Sequence, residues 1–583
     1  MVIKEISCLG NKWVEALDLE ASAYAIVLSQ KFGISGVLSR LLVARGIDEL
    51  SLPFYLNPKL RDLMPSPKSF KDIDVAANRI IEAIKNCEKI TIYGDYDVDG
   101  AAASAIMFRF LQSIGAYVDI FIPHRVHDGY GLNVNRLVDI KTTGTSLIIA
   151  VDCGSNDNIE NLDIDVVVLD HHKIASFNKA AYALVNPNRS DDSSNCTYLC
   201  AAGVVFVIVA YIASLLRSND SYATKLHNIM EYLDLVALAT ICDVVPLIGL
   251  NRAFVINGLK VASKLQNKGL VALSRVLGIN EPLNPYIMGY VIGPHINAAG
   301  RIDDQNIGAK LLCSKNIDEA IDLSNILVAV NKERRAIEEQ NLEDIIFSVY
   351  NKYENTIIPP VIVEIGNWHQ GIIGLLAARL KEKYMRPAII FSKQNNGFAV
   401  GSARSVSSID IGTLIHQANE AKLIEKGGGH AMAAGLTIKQ ENFDDFTLWL
   451  TKEVGRRLGN LYEKRILKIE LILTINALTG DLCNEIDKAG PYGAGNPRPL
   501  ILIKQAYIKS AKIVGDKHIA ITLGALNGTN ANKKAIAFRA VGTELGDLLL
   551  SHINQHCDLV GYVNLNYYRN TIYPQLQIVD AYT

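Results

Sequence analysis

The sequence runs to 583 residues, 49% apolar and 20% charged, which is more chain than one hydrophobic core serves and too apolar for a disordered protein, so three or four domains are expected. Lys and Arg (58) nearly balance Asp and Glu (60), and the net charge of −2 carries no overall basic signature for nucleic acid. Nine cysteines without a CxxC pair argue against a disulfide framework or a zinc knuckle and for a reducing cytoplasm.

The opening MVIKEISCLGNKW lacks the apolar stretch and cleavage site of an export signal. Residues 1–75 read as an N-terminal extension packed on the main body, with a helical pattern (LSRLLVARGIDEL) and a Pro-punctuated stretch. From residue 76 to 305, strand-like runs (KITIY, SLIIAV, DVVVLD) alternate with helical ones, the first starting at Ala101, and predict a parallel α/β sheet. The uncharged run Leu199–Leu216 reaches the length of a membrane span, yet it reads better as a buried helix, because a span would separate Asp170 from Asp243.

Residues 306–355 read as a long connecting helix: Gly and Pro are absent between Gly308 and Pro359, and Ile326, Val330, Ile337, Ile345 and Val349 recur around a charged centre, KERR. A second, smaller α/β domain is expected over 356–458 (PPVIVEIG, RPAIIF, GFAVGSARS), with the substrate in the cleft between the two. The final stretch, 459–583, holds short β-rich runs that predict a small barrel. It includes a basic run, Arg498, Lys504, Lys509, Lys512, Lys517, Lys533, Lys534 and Arg539 against the single acid Asp516, which is either a nucleic-acid contact or a solvated face.

Four carboxylate positions follow apolar, strand-like runs: Asp95, Asp97 and Asp99 in GDYDVDG, Asp152 in AVDCG, Asp170 before His171 and His172, and Asp243 in CDVVP. Taken singly, each is commonly a helix cap or a turn former. Together they sit where ligands gather in an open parallel sheet, beyond the carboxyl ends of its strands. Several carboxylates plus an imidazole suit Mn²⁺ and, less selectively, Mg²⁺. Two such ions point to hydrolysis at phosphorus.

GDYDVDG, VDCG, LDHH and ATICDVVPL follow one another as the motifs of the DHH phosphoesterase superfamily do. PHINAAGRI (294–302), NWHQGIIGLLAARL (367–380), GSARS (401–405), GGGHAMAAG (427–435) and PYGAGNPRP (491–499) resemble the later motifs of its RecJ family. The resemblance implies a parallel-sheet DHH domain, a long helix, a smaller DHHA1-type α/β domain and a C-terminal OB-fold barrel. It implies Asp97, Asp99, Asp152, His171 and Asp243 as metal ligands, with Asp95 supporting, and His172 on the scissile phosphate. On the substrate side stand Asn297 and Arg301, Trp368 and His369 along the strand's path, and Arg404 between Ser402 and Ser405. A glycine turn, Gly428 and Gly429 before His430, would approach phosphate closely. His295 stands where the family usually carries arginine, which implies a weaker phosphate contact. In the barrel, Tyr562, Tyr567, Tyr568 and Tyr573 either stack on bases or pack against neighbouring strands.

The activity implied is removal of mononucleotides from the 5′ end of single-stranded DNA by a cytoplasmic exonuclease with two Mn²⁺ or Mg²⁺ ions, in repair and recombination. Its partners would be a helicase and a single-strand-binding protein, with no membrane. Two alternatives stay open: a small-substrate phosphoesterase of the same superfamily, and a catalytically silent nucleic-acid-binding scaffold.

Overall fold

Val, Ile and Leu fill the runs Lys89–Gly94 (β1), Thr145–Val151 (β3) and Asp165–Leu169 (β4), whose residues are almost all buried. A strand apolar on both faces belongs inside a parallel sheet covered by helices. The computed structural model, which describes residues 2–124, 128–129, 131–160, 162–174, 180–217, 220–301, 305–353, 358–458, 466–524, 532–568 and 571–583, shows this sheet. Its order is β2-β1-β3-β4-β5, all parallel, with Tyr117–Phe121 as β2 and Ala183–Val185 as β5. The two edge strands escape a sequence reading because they are short or partly exposed.

Helices α1 (Val98–Ser113), α2 (Ala201–Leu216) and α3 (Leu233–Cys242) pack together against the sheet in one continuous core. The uncharged run is thus α2, buried almost throughout, and no helix among the described residues is long and apolar enough to cross a membrane. The run before Asp243, expected to be a strand, is helix α3; a short apolar run buried on all sides has no periodicity to tell the two apart.

Helix α4 (Ile317–Tyr353) leads to a mixed sheet of order β9-β10-β8-β7-β6. Its strands are Ile362–Gly366 (β6), Ala388–Lys393 (β7), Phe398–Arg404 (β8), Lys426–His430 (β9) and Ala433–Lys439 (β10). Glu338 of α4 pairs with Arg334 and with Arg379 of the helix Gln370–Tyr384 (α5), each at 3.2 Å, tying this unit to α4.

At the C-terminus, Ile501–Val514, His518–Gly524, Lys533–Ala537, Thr571–Tyr582 and His556–Tyr568 pair in that order, and the first closes on the last to form a barrel. The N-terminal segment packs here. Lys12–Glu15 pairs in parallel with Ile466–Ile469, and Leu28, Leu38, Leu41 and Leu42 share the barrel's core. Asp580, fully buried, accepts hydrogen bonds from Trp13 Nε1 (2.9 Å) and Asn11 Nδ2 (2.8 Å), so the two ends of the chain are joined.

Candidate metal centre

The sheet register builds the site. Gly94 pairs with Val151, Val151 with Leu169, and Leu169 with Val185, so the next residue of each strand emerges at the same level of one rim. Those residues are Asp95, Asp152, Asp170 and Asn186. The Asp152 and Asp170 N–H groups continue the ladder, donating to Leu169 O (3.1 Å) and Val185 O (3.0 Å). Asp152 does so at φ +63°, a left-handed turn that swings its carboxyl over the rim.

Asp97 caps α1 by accepting from Gly100 N at 3.0 Å. The turn is tight: a Cβ on Gly100 would lie 2.5 Å from Asp95 O. Asp99, in the first turn of the helix and 1% exposed, accepts from Ala201 N (2.7 Å) and Ala202 N (2.8 Å), the first amides of α2. Asp243 ends α3. His171 Nε2 lies 3.3 Å from Asp152, 3.7 Å from Asp99 and 3.7 Å from Asp243. Three triads each bring their donor atoms within 4.8 Å: Asp95, Asp97 and Asp152; Asp99, His171 and Asp243; and Asp152, His171 and His172.

So many carboxylates in one buried place oppose their own ionisation. Burial, then repulsion from Asp99 and Asp97, pushes Asp243 up to about 9, and its Oδ2 is buried without a hydrogen bond. Burial and the neighbouring carboxylates also raise Asp152 and Asp99. This oxygen-rich set with one imidazole is what hard divalent cations require, and the cluster can hold Mn²⁺ or Mg²⁺.

Asp170 faces the other way. Burial would raise it, but its bond to His172 Nδ1 (2.8 Å), the charges of both histidines and the Ser155 N–H hold it well below the usual carboxylate range. Burial in turn would lower His172, yet Asp170, with Asp243 and Asp95, raises it to about 9. Below this pair lies an amide layer that sequence reasoning missed. Asn188 Nδ2 donates to His171 O (2.6 Å), and Asn186 Nδ2 to His172 O (2.9 Å) and Ser155 Oγ (2.8 Å). The signal available was NPN directly after the short strand Ala183–Val185, at the same rim.

The residues expected on the substrate side divide. Asn297 Oδ1 accepts from Val98 N at 2.9 Å and so holds the GDYDVDG turn. The side chain of Arg301 lies outside the described residues. His369, exposed, caps α5 by accepting from Gly371 N, and Trp368 packs partly buried against Gly366. Arg404 stands beside Ser402, donating to its Oγ at 3.2 Å. Ser405 is a correction: fully buried, its hydroxyl donates to Ile409 O at 2.7 Å, which leaves it a structural role. A second correction concerns GGGH, which is not a turn but the exposed edge strand β9, paired with β10 on one side only. Partial desolvation lowers the pKa of His430 there, helped by Lys173, His172 and His171.

His295 is buried and its Nδ1 lies 2.6 Å from Val291 O, so one ring nitrogen is committed to the backbone. In the barrel, Arg498 is committed to Asp487 and Val563 O, Tyr573 accepts from Asn566, and the side chains of Tyr567 and Tyr568 lie outside the described residues.

The parallel sheet with its acid-and-histidine rim defines a DHH-family domain, and the chain matches the DHH family N-terminal domain over residues 89–240. It also matches the DHHA1 domain over 359–454 and the RecJ OB domain over 469–580. The single-stranded-DNA-specific exonucleases RecJ of Dickeya dadantii and Bacillus subtilis are 31% and 30% identical to it. These alignments cover 85% and 95% of this chain and 88% and 69% of theirs. The crystal structure of Thermus thermophilus RecJ in complex with Mn²⁺ superposes with a TM-score of 0.78 at 25% identity, over 98% of this chain and 79% of that one. The chain belongs to the RecJ family.

Proposed function

We propose that this protein is a single-stranded-DNA-specific exonuclease that releases mononucleotides from the 5′ end by metal-assisted phosphodiester hydrolysis. The observation that carries the reading is the rim itself: five carboxylates and His171 converge from separate strands and helices beside His172. Asp97, Asp99, Asp152, His171 and Asp243 would hold two Mn²⁺ or Mg²⁺ ions, with Asp95 in support. When bound, these would activate water for attack and neutralise charge on the attacked phosphate.

The chain's own groups do the rest. Asp170 occupies His172 Nδ1, so the remaining ring N–H donates to a phosphoryl oxygen. Arg404 and His430, on the facing domain, grip backbone phosphates, with Arg301, Trp368 and His369 along the same path. The domains divide as an N-terminal extension (1–75), a catalytic domain (76–305), a connecting helix (306–355), a substrate-binding domain (356–458) and a nucleic-acid-binding barrel (459–583). Work beside a helicase and a single-strand-binding protein in cytoplasmic repair and recombination suits an enzyme that needs its strand unpaired.

The test incubates the protein and Asp152→Ala with MnCl₂ or MgCl₂ on 5′- and 3′-labelled single-stranded DNA, with duplex DNA and pyrophosphate as controls. Metal-dependent mononucleotides from the 5′ end, absent in the variant, are expected. Hydrolysis of pyrophosphate alone would replace the reading with a small-substrate phosphoesterase, and binding without cleavage would replace it with a silent scaffold.

A further inference from the structure

The segment that leads into PHINAAGR carries two aromatic side chains that nothing in the fold uses. Tyr286 is 67% exposed and Tyr290 72% exposed, and their rings stack on each other with centroids 5.4 Å apart and planes at 26°. Two large rings held parallel in water are a costly surface unless something covers them. Tyr286 precedes and Tyr290 lies within a π-helical turn, Ile287–Ile292, a distortion frequent at functional sites. The opposite side of that turn is clamped. Cβ atoms added to Gly289 and Gly293 would lie 3.0 Å from Ile241 Cγ2 and 2.5 Å from Cys242 Sγ, so the turn rides directly on the end of α3, next to Asp243.

The turn that carries the rings is thus packed on Ile241 and Cys242, the two residues that immediately precede Asp243. Further along the same segment, His295, bonded to Val291 O, has its pKa lowered first by burial and also by the charges of Arg335 and Arg334 of α4, and Arg335 is exposed. Flat, exposed aromatic faces on a segment packed against the end of α3 fit a single strand with splayed bases; a duplex offers no free base face.

We propose that Tyr286 and Tyr290 form a stacking platform for unpaired bases of the substrate strand, a few nucleotides from the scissile bond, with Arg335 on the adjoining phosphate. The proposal rests on the exonuclease reading and adds a determinant of single-strand preference to it.

The test compares wild type, Tyr286→Ala/Tyr290→Ala, Tyr286→Phe/Tyr290→Phe and Arg335→Ala. Steady-state kinetics are read on a single-stranded 20-mer and on a dinucleotide. The Ala pair should cut the 20-mer's advantage over the dinucleotide in kcat/KM about tenfold, mainly through KM, and the Phe pair should restore it. Arg335→Ala should lower the salt slope of 20-mer binding by about one. An unchanged advantage in the Ala pair, or a Phe pair as impaired as the Ala pair, would overturn the proposal. Anisotropy of a labelled oligo-dT in EDTA gives a reading independent of cleavage. If wild type cleaves no DNA, the exonuclease reading fails, while equal oligo-dT affinities of wild type and the Ala pair would sink the platform on its own.

Discussion

Replacing Asp243 by Asn should make the metal-free protein more stable while destroying its activity. Burial and repulsion raise this carboxyl from its ordinary value of 3.8 to about 9. A carboxyl with a raised folded-state pKa favours folding only when protonated. Its contribution is fully present below pH 3.8, is lost progressively as pH rises, and is gone above pH 9. At pH 7 the folded chain has to take up a proton that the unfolded chain has released. About three pH units at roughly 1.4 kcal/mol each put this cost at up to about 4 kcal/mol. Asn keeps the shape and removes the cost, so the transition of the domain that holds α3 should rise by on the order of 10 °C. The assay is calorimetry of EDTA-treated wild type and Asp243→Asn at pH 5, 7 and 9, repeated with MnCl₂. The variant's advantage should be smallest at pH 5, and Mn²⁺ should stabilise wild type far more than the variant. A metal-free variant less stable than wild type at pH 7, or an equal response to Mn²⁺, would refute the reasoning.

Two further outcomes follow from buried contacts. Asp580→Ala leaves Trp13 Nε1 and the Asn11 amide buried without their acceptor, a loss of about 3 kcal/mol. It should appear as earlier denaturant unfolding of the barrel and faster proteolysis of the N-terminal segment, with the metal response kept. Asn188→Ala removes the 2.6 Å bond that fixes the His171 carbonyl, and Mn²⁺ affinity measured by titration calorimetry should fall at least about tenfold. An unchanged affinity would make the amide layer mere packing.

Which parts of this were legible follows from physics on the scale of single residues. β1, β3 and β4 declare themselves as continuous apolar runs ending in acids, and the acids lie at one rim because parallel strands in register must end together. Asp243 was found by its motif although its run is a helix, since the chemistry sits beyond the run's end either way. The docking of the N-terminal segment on a barrel more than 400 residues away leaves no local trace, because Trp13 and Leu41 look like any apolar residues until Asp580 and the barrel core meet them. Ser405 escaped the sequence for a related reason: a motif fixes a residue's position, whereas burial and a nearby carbonyl decide whether its side chain is free to act.

The two helices that deliver cluster residues do so from opposite ends, and this divides the labour of holding charge. Asp99 accepts from the first amides of α2, the positive end of a helix with no charged residue of its own, so part of its charge is offset by the protein. The uncharged character of α2 makes sense on this view: it is buried almost throughout, and its amides at the N-terminus are what it contributes to the site. Asp243 caps the C-terminal, negative end of α3, with Oδ2 buried and without a hydrogen bond. No helix N-terminus offsets its charge. A cation arriving at the rim therefore relieves Asp243, while Asp99, already anchored, fixes where that cation sits. The same residue that weakens the metal-free fold is the one that gives the centre its pull on metal.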